Sequence, residues 1–153
     1  MDINHQIAFG VGTVQLNPTA INPDWVLEGN PVTRSKLLST SADGTASTLF
    51  WDCTAGRFNW FYDVDETVYV LEGSVTIKDQ EGLSRRVSAG DWIFFPRGSY
   101  AEWTVHGYVR KVAFCRSPMP RPVQFARGVY RVLKRLTGRG FNDAEATATF
   151  QRG

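Results

Sequence analysis

Glu66 is the residue whose type and surroundings most directly allow chemistry, because it is an acid within a stretch of apolar and aromatic residues. A carboxylate in such surroundings can act as a general base or hold a polar group of a ligand. Tyr62, four residues earlier, is the candidate hydrogen-bond partner for an acid–base reaction. The alternative is a structural acid that makes hydrogen bonds within the fold, and both interpretations stay open.

Other common catalytic groups are sparse. The chain has two cysteines and two histidines, without a Cys-x-x-Cys pair, so neither a disulfide framework nor a zinc cluster is encoded. No Ser-His-Asp or Cys-His arrangement can be assembled from the spacing. Two buried thiols, Cys53 and Cys115, are the expected state of the cysteines.

Short strands must position these residues. Stretches rich in Val, Thr, Ile and aromatic residues alternate with Gly, Pro, Asn and Asp, which indicates strands and turns without an intervening helix. Nine such strands predict an all-β sandwich or barrel. They cover residues 34–41, 46–52, 57–62, 67–72, 74–78, 84–88, 92–95, 101–105 and 109–115. Residues 1–33 are expected to form an irregular arm, because three Asn-Pro pairs disfavour helix there.

The spacing of turn residues around Glu66 forms a recognisable pair of motifs. Six residues separate Glu66 from Gly73, sixteen separate Gly73 from Gly90, and Gly90 is followed by Pro96 and Gly98. This arrangement resembles the two motifs of the cupin superfamily, which are small jelly-roll barrels. The resemblance implies that Glu66 points into the barrel lumen. Within it, residues 58–73 and 90–111 are similar to small single-domain cupins related to ureidoglycine aminohydrolase.

The resemblance also implies where a metal would bind in such a cupin. Two histidines stand before the glutamate and a third follows the second motif, but those positions hold Trp60, Tyr62 and Ala101 here. One carboxylate falls short of the three or four donors that such metals use. We therefore expect no metal and no cofactor. The rival hypothesis is a metal-dependent hydrolase or oxygenase with an atypical shell that includes Glu66 and Tyr62.

What remains is a cavity whose lining follows from period-two alternation between the two motifs. Trp60 shares a face with Tyr62, and Trp103 shares a face with Ala101. Trp51 and one of Arg110 or Lys111 are expected to reach the same lumen. Such walls suit a small organic ligand that carries a ring and a polar or charged group, although the same aromatic residues could simply pack the core.

The charges of the chain are divided unevenly. Residues 1–109 contain seven Lys or Arg against thirteen Asp or Glu, and residues 110–153 contain ten against two. In residues 123–138, apolar side chains recur at helical intervals among basic ones, which predicts a basic amphipathic helix. The sequence thus predicts a barrel with its arm in 1–118 and a helix with a tail in 119–153. A scaffold or regulatory module that acts through this helix is a further hypothesis.

Together these patterns predict a cupin-type barrel that binds a small organic molecule, or transforms it without a metal. We expect a homodimer, since small jelly rolls leave strand edges to cover. We expect no nucleic-acid partner, because no base-reading motif accompanies the basic segment. The chain has no cationic start followed by an apolar run and no long apolar stretch, so we expect a cytoplasmic protein that does not bind a membrane.

Overall fold

The computed structural model describes residues 7–10 and 12–118, and this part of the chain is built from strands. A single 3₁₀ turn, Pro23–Trp25, precedes the second strand. The strands are β1 (Asn17–Thr19), β2 (Val26–Gly29), β3 (Thr33–Thr40), β4 (Ala46–Phe61), β5 (Asp65–Asp79), β6 (Ser84–Ser88), β7 (Trp92–Phe95) and β8 (Tyr100–Arg116). The prediction of an all-β fold is confirmed. The predicted helix at 123–138 lies outside the described residues.

Three of these strands each combine two predicted ones. β4, β5 and β8 have 16, 15 and 17 residues, and their register shifts midway. The shifts fall at Thr54/Gly56 in β4 and at Val70/Glu72 and Gly73/Val75 in β5, where the strands bend without ending. In the sequence pattern a glycine between two apolar stretches predicts the end of a strand, whereas in the structure it marks a bend within one strand. The arm also differs from the prediction, since β1 and β2 pair with β3 and β4.

The bends divide one antiparallel sheet into two halves. In the first half the strand order is β1-β3-β4-β8-β5-β7, built from the start of β4 and β5 and the end of β8. In the second half the order is β2-β4-β8-β5-β6, built from the remaining parts of the long strands. The inner faces enclose the core, and this is the jelly-roll arrangement expected from the sequence.

Gly73 occupies a bend where only glycine fits. Its φ is +74°, and a Cβ atom at this position would lie 1.9 Å from the carbonyl oxygen of Tyr108. Because that neighbour is backbone of β8, it cannot move aside as a flexible side chain could. The glycine of the first sequence motif therefore allows β5 and β8 to stay paired through the bend.

The core alternates along the strands as the sequence predicted. In β5 the residues Glu66, Val68 and Val70 are buried, and in β8 Ala101, Trp103 and Val105 are buried. Cys53 is fully buried and Cys115 is half-buried, and both are free thiols. Within the described residues, no helix is long and apolar enough to cross a membrane.

Candidate functional site

A cavity of about 230 Å³ lies between the two halves of the sheet. The first half contributes the buried charged residues Glu66 and Lys111 and the ring of Trp51, and the second half contributes the other aromatic rings. Four aromatic side chains line the cavity: Trp51, Phe58, Trp60 and Trp103. The remaining lining residues are Thr19, Ala20, Ser35 and Leu49. Apolar walls around a few polar groups are typical of a small-molecule site.

The polar centre of the cavity is an ion pair between Glu66 and Lys111. The Lys111 Nζ atom donates a hydrogen bond of 2.5 Å to Glu66 Oε1. Only 7% of the lysine side chain and 10% of the glutamate side chain are exposed. Lys111 belongs to β8 and Glu66 belongs to β5, and these two strands are paired in the sheet. The pairing of these two strands brings together residues that are 45 positions apart.

Two tryptophan rings flank the lysine. Lys111 Nζ lies 4.9 Å from the centroid of the Trp51 ring and 4.9 Å from that of Trp103. At this distance the faces of both rings attract the ammonium group, and the attraction is stronger where water is excluded. The positive charge is thus stabilised by a carboxylate and by two rings. The arrangement keeps a cation inside an apolar cavity.

Tyr62 lies behind this cavity and is not among its lining residues. Its phenol oxygen accepts a hydrogen bond of 3.0 Å from Trp103 Nε1, and its ring stacks on Phe95 with the centroids 4.3 Å apart. Burial, assisted by the negative charge of Glu66, raises the pKa of Tyr62 well above its usual value. Tyr62 therefore stays a neutral phenol that orients Trp103.

The structure resolves the choice between Arg110 and Lys111. The Arg110 guanidinium carbon lies 5.4 Å from the centroid of the Phe50 ring, and Arg110 is not among the cavity-lining residues. Since successive residues of a strand point to opposite faces, only one of the two could reach the lumen. The predicted residues that meet at the cavity are thus Trp51, Trp60, Glu66, Trp103 and Lys111.

Sequence reasoning missed the contribution of the N-terminal arm and of β3. Thr19, at the end of β1, and Ala20 line the cavity, and Ser35 lines it from β3. Trp25 covers Trp60 from outside, with the ring centroids 5.6 Å apart. The available signal was the alternation in β3, which puts Ser35 opposite Trp51. No pattern in the arm indicated that it would reach the barrel.

The residues at this site do not fit a transition metal. Glu66 already binds the Lys111 ammonium, and the described side chains that line the cavity include no histidine or cysteine. The neutral phenol of Tyr62 is a poor ligand, since a metal requires the phenolate. Within residues 7–10 and 12–118, no three His, Cys, Asp or Glu side chains form a ligand group.

A larger groove of about 450 Å³ lies elsewhere, between β6, β7 and the start of β8. Its walls are mostly apolar and include Val87, Phe95 and Tyr100. Its charged residues, Asp79, Glu81 and Arg85, are exposed, so water screens them. The smaller cavity has a buried polar centre, and this groove has none among its described lining residues. The smaller cavity is therefore the candidate site.

The two half-sheets have the strand order of a jelly roll, and they enclose a glutamate that faces inward. These features define the protein as one with a cupin fold. More particularly, residues 40–113 match the family model of the EutQ-like cupin domain. No protein with a curated description matches the sequence.

The chain is also similar to several solved structures. A protein of unknown function from Pseudomonas syringae pv. tomato is 28% identical over 67% of this chain and 44% of its own, with a TM-score of 0.62. The Clostridium difficile EutQ protein is 26% identical over 58% of this chain and 65% of its own, with a TM-score of 0.51. A putative ethanolamine utilization protein Q from Salmonella typhimurium is 26% identical over 69% of this chain and 98% of its own, with a TM-score of 0.52. The chain thus spans less than half the length of the Pseudomonas protein.

Proposed function

We propose that this cupin-fold protein binds a small organic molecule in the aromatic cavity, with Glu66 and Lys111 as the groups that recognise its polar end. The observation that carries the proposal is a buried ion pair that faces a cavity. A buried ion pair often contributes no more stability than apolar residues of similar size, so stability alone does not account for it. Ligand recognition does, because paired charges in a cleft can orient a polar group.

If the bound molecule is transformed, Glu66 is the acid–base candidate. It lines the cavity and can reach a ligand, whereas Tyr62 acts through Trp103 and is a positioning residue. Lys111 donates a hydrogen bond to the Glu66 carboxylate and thereby fixes its position beside the ligand. The likeness to ureidoglycine aminohydrolase relatives, the cytoplasmic location and the homodimer remain predictions from the sequence.

The proposal is tested with single-ring probes and a variant that fills the cavity. Benzamide, benzoate, benzylammonium and phenol are titrated while the fluorescence of the tryptophans is recorded. Ser35→Leu places a larger side chain in the cavity, and Lys36→Leu, its neighbour on the exposed side of β3, is the matched control. We expect at least one probe to bind the wild type and the Lys36→Leu protein, and not the Ser35→Leu protein. Equal binding to both variants, or no binding of any probe to the wild type, would contradict the proposal.

A further inference from the structure

The cavity is electrically balanced although it contains two charges. Among the described residues that line it, Glu66 and Lys111 are the charged ones, and they neutralise each other. The other lining side chains are aromatic, aliphatic or hydroxyl-bearing. A charged ligand would therefore enter a site that has no free counter-charge for it. Moving an ion out of water into such a site is unfavourable unless it is paired.

Each kind of charged ligand meets a specific obstacle. A carboxylate that approaches Lys111 must come close to Glu66, which has the same charge and is already bonded to the lysine. A cation that approaches Glu66 must come close to the Lys111 ammonium. The two ring faces that could attract it, those of Trp51 and Trp103, already lie against that ammonium at 4.9 Å. Repulsion between like charges is strong where water is excluded.

A neutral ligand with a donor beside an acceptor suits the pair instead. Its acceptor would take a hydrogen bond from Lys111, and its donor would give one to Glu66. In an amide the C=O and C–N bonds of about 1.23 and 1.33 Å place oxygen and nitrogen roughly 2.2 Å apart. This spacing is close to the 2.5 Å between Lys111 Nζ and Glu66 Oε1. One planar group can thus contact both members of the ion pair.

The walls and the volume restrict the rest of the ligand. Rings of Trp51, Phe58, Trp60 and Trp103 line the cavity and favour a flat aromatic or unsaturated ring. The volume of about 230 Å³ is below the range of about 300–1,000 Å³ that holds drug-sized ligands. The cavity therefore has room for a compound with one ring.

We infer that the site takes uncharged single-ring compounds whose polar end has a hydrogen-bond donor and an acceptor bonded to the same carbon, with primary amides as the prototype. The inference rests on the proposed function, since it specifies the ligand class of the same cavity. It follows from the paired charges, the spacing of their atoms and the aromatic walls.

Three probes of similar shape test the inference on the full chain. Benzamide is neutral, benzoate is an anion and benzylammonium is a cation, and each is titrated by calorimetry at pH 7. For the wild type we expect benzamide to bind at least about tenfold more tightly than either ion. Burying an unpaired ion costs more free energy than a tenfold difference in affinity represents.

Two reciprocal variants are expected to shift the preference, each toward one of the two ions. Glu66→Gln leaves the positive charge of Lys111 unbalanced, so benzoate should bind about tenfold more tightly than to the wild type. Lys111→Gln leaves Glu66 unbalanced and frees the faces of Trp51 and Trp103, so benzylammonium should gain by a similar factor. The double variant Glu66→Gln/Lys111→Gln is neutral again and should keep the preference for benzamide. If either single variant fails to fold, the double variant is compared with the wild type instead.

The outcomes separate this inference from the proposed function. A wild type that binds benzoate or benzylammonium as tightly as benzamide overturns the neutral-ligand inference but leaves a small-molecule site in place. A wild type that binds none of the three probes, nor phenol, overturns both. A gain in benzoate affinity for Glu66→Gln and in benzylammonium affinity for Lys111→Gln supports the inference, and a preference that stays the same in all variants contradicts it.

Discussion

Two buried carboxylates lie on opposite faces of the same half-sheet, and their surroundings differ. Glu66 faces the interior, where Lys111 bonds to it and the cavity lies beside it. Asp52 faces outward and accepts hydrogen bonds of 3.1 and 2.5 Å from the Arg34 guanidinium. It accepts another of 2.8 Å from the Tyr108 hydroxyl. Asp52 lines neither the cavity nor the larger groove.

The comparison shows that burial of a charge does not by itself mark a site. Asp52 on β4 is bonded to Arg34 on β3 and to Tyr108 on β8, so it connects three neighbouring strands. The hydrogen bond and the charge of Asp52 raise the pKa of Arg34. Because three hydrogen bonds hold the carboxylate and neither the cavity nor the groove reaches it, its oxygens are not presented to a ligand. Glu66 differs because a cavity lies beside its ion pair, and the cavity gives it access to a ligand.

The largest expected effect comes from removing the partner of each carboxylate. Lys111→Met leaves Glu66 charged and unpaired in the interior, and breaking a buried pair in this way costs about 3–5 kcal/mol. Arg34→Met should cost clearly less, because 49% of the arginine side chain is exposed and Tyr108 still bonds to Asp52. Urea unfolding of both variants measures the difference. Equal losses would show that the two carboxylates are equivalent.

Adding Glu66→Gln to Lys111→Met supplies the control. The double variant has no unpaired charge, so most of the lost free energy of unfolding should return. A double variant as unstable as Lys111→Met would mean that the aliphatic part of the lysine, rather than its charge, was responsible.

An intermediate effect is expected from removing the two tyrosine hydroxyls. Tyr108→Phe removes one hydrogen bond to a charged group and should cost about 1–2 kcal/mol, with benzamide affinity unchanged. Tyr62→Phe leaves the buried Trp103 Nε1 without its acceptor and should cost a similar amount. Because Trp103 lines the cavity, we expect Tyr62→Phe also to weaken benzamide binding. Calorimetric titration of both variants measures this contrast, and a loss of affinity in Tyr108→Phe would contradict it.

The smallest effect is a loss of stability in alkaline solution. Burial, assisted by the charge of Asp52, raises the pKa of Cys53 from 9.0 to about 12, and burial raises that of Cys115 from 9.0 to about 11. Above pH 9 the unfolded chain releases these protons while the folded chain keeps them, so stability falls as the pH rises toward these values. We expect the free energy of unfolding to fall between pH 8 and pH 10 by no more than about 1 kcal/mol for each cysteine, as measured by urea unfolding.

Cys53→Ala is the matched variant for this measurement. It removes the group with the larger shift, so its free energy of unfolding should fall less between pH 8 and pH 10 than that of the wild type. An identical fall in both proteins would show that Cys53 does not contribute.

Local patterns in the sequence were sufficient for most strand positions, because alternation and turn residues act over a few neighbours. The sequence did not show that two predicted strands join through a bulge at Gly56 or at Gly73. A bulge depends on the partner strand, and at Gly73 the deciding contact is the carbonyl oxygen of Tyr108 in β8. The strands β1 and β2 were missed for the same reason, since they are short and depend on pairing with β3 and β4.

The site shows the same division between local and long-range information. By itself the sequence determined that Glu66 and the rings of Trp51, Trp60 and Trp103 belong to one interior, because motif spacing and alternation fix which face each residue occupies. Only the tertiary structure decided that Lys111 rather than Arg110 joins them, and that it bonds to Glu66 between two tryptophans. That choice depends on the register of β8 against β4 and β5. The register is a long-range property that no local stretch of sequence encodes.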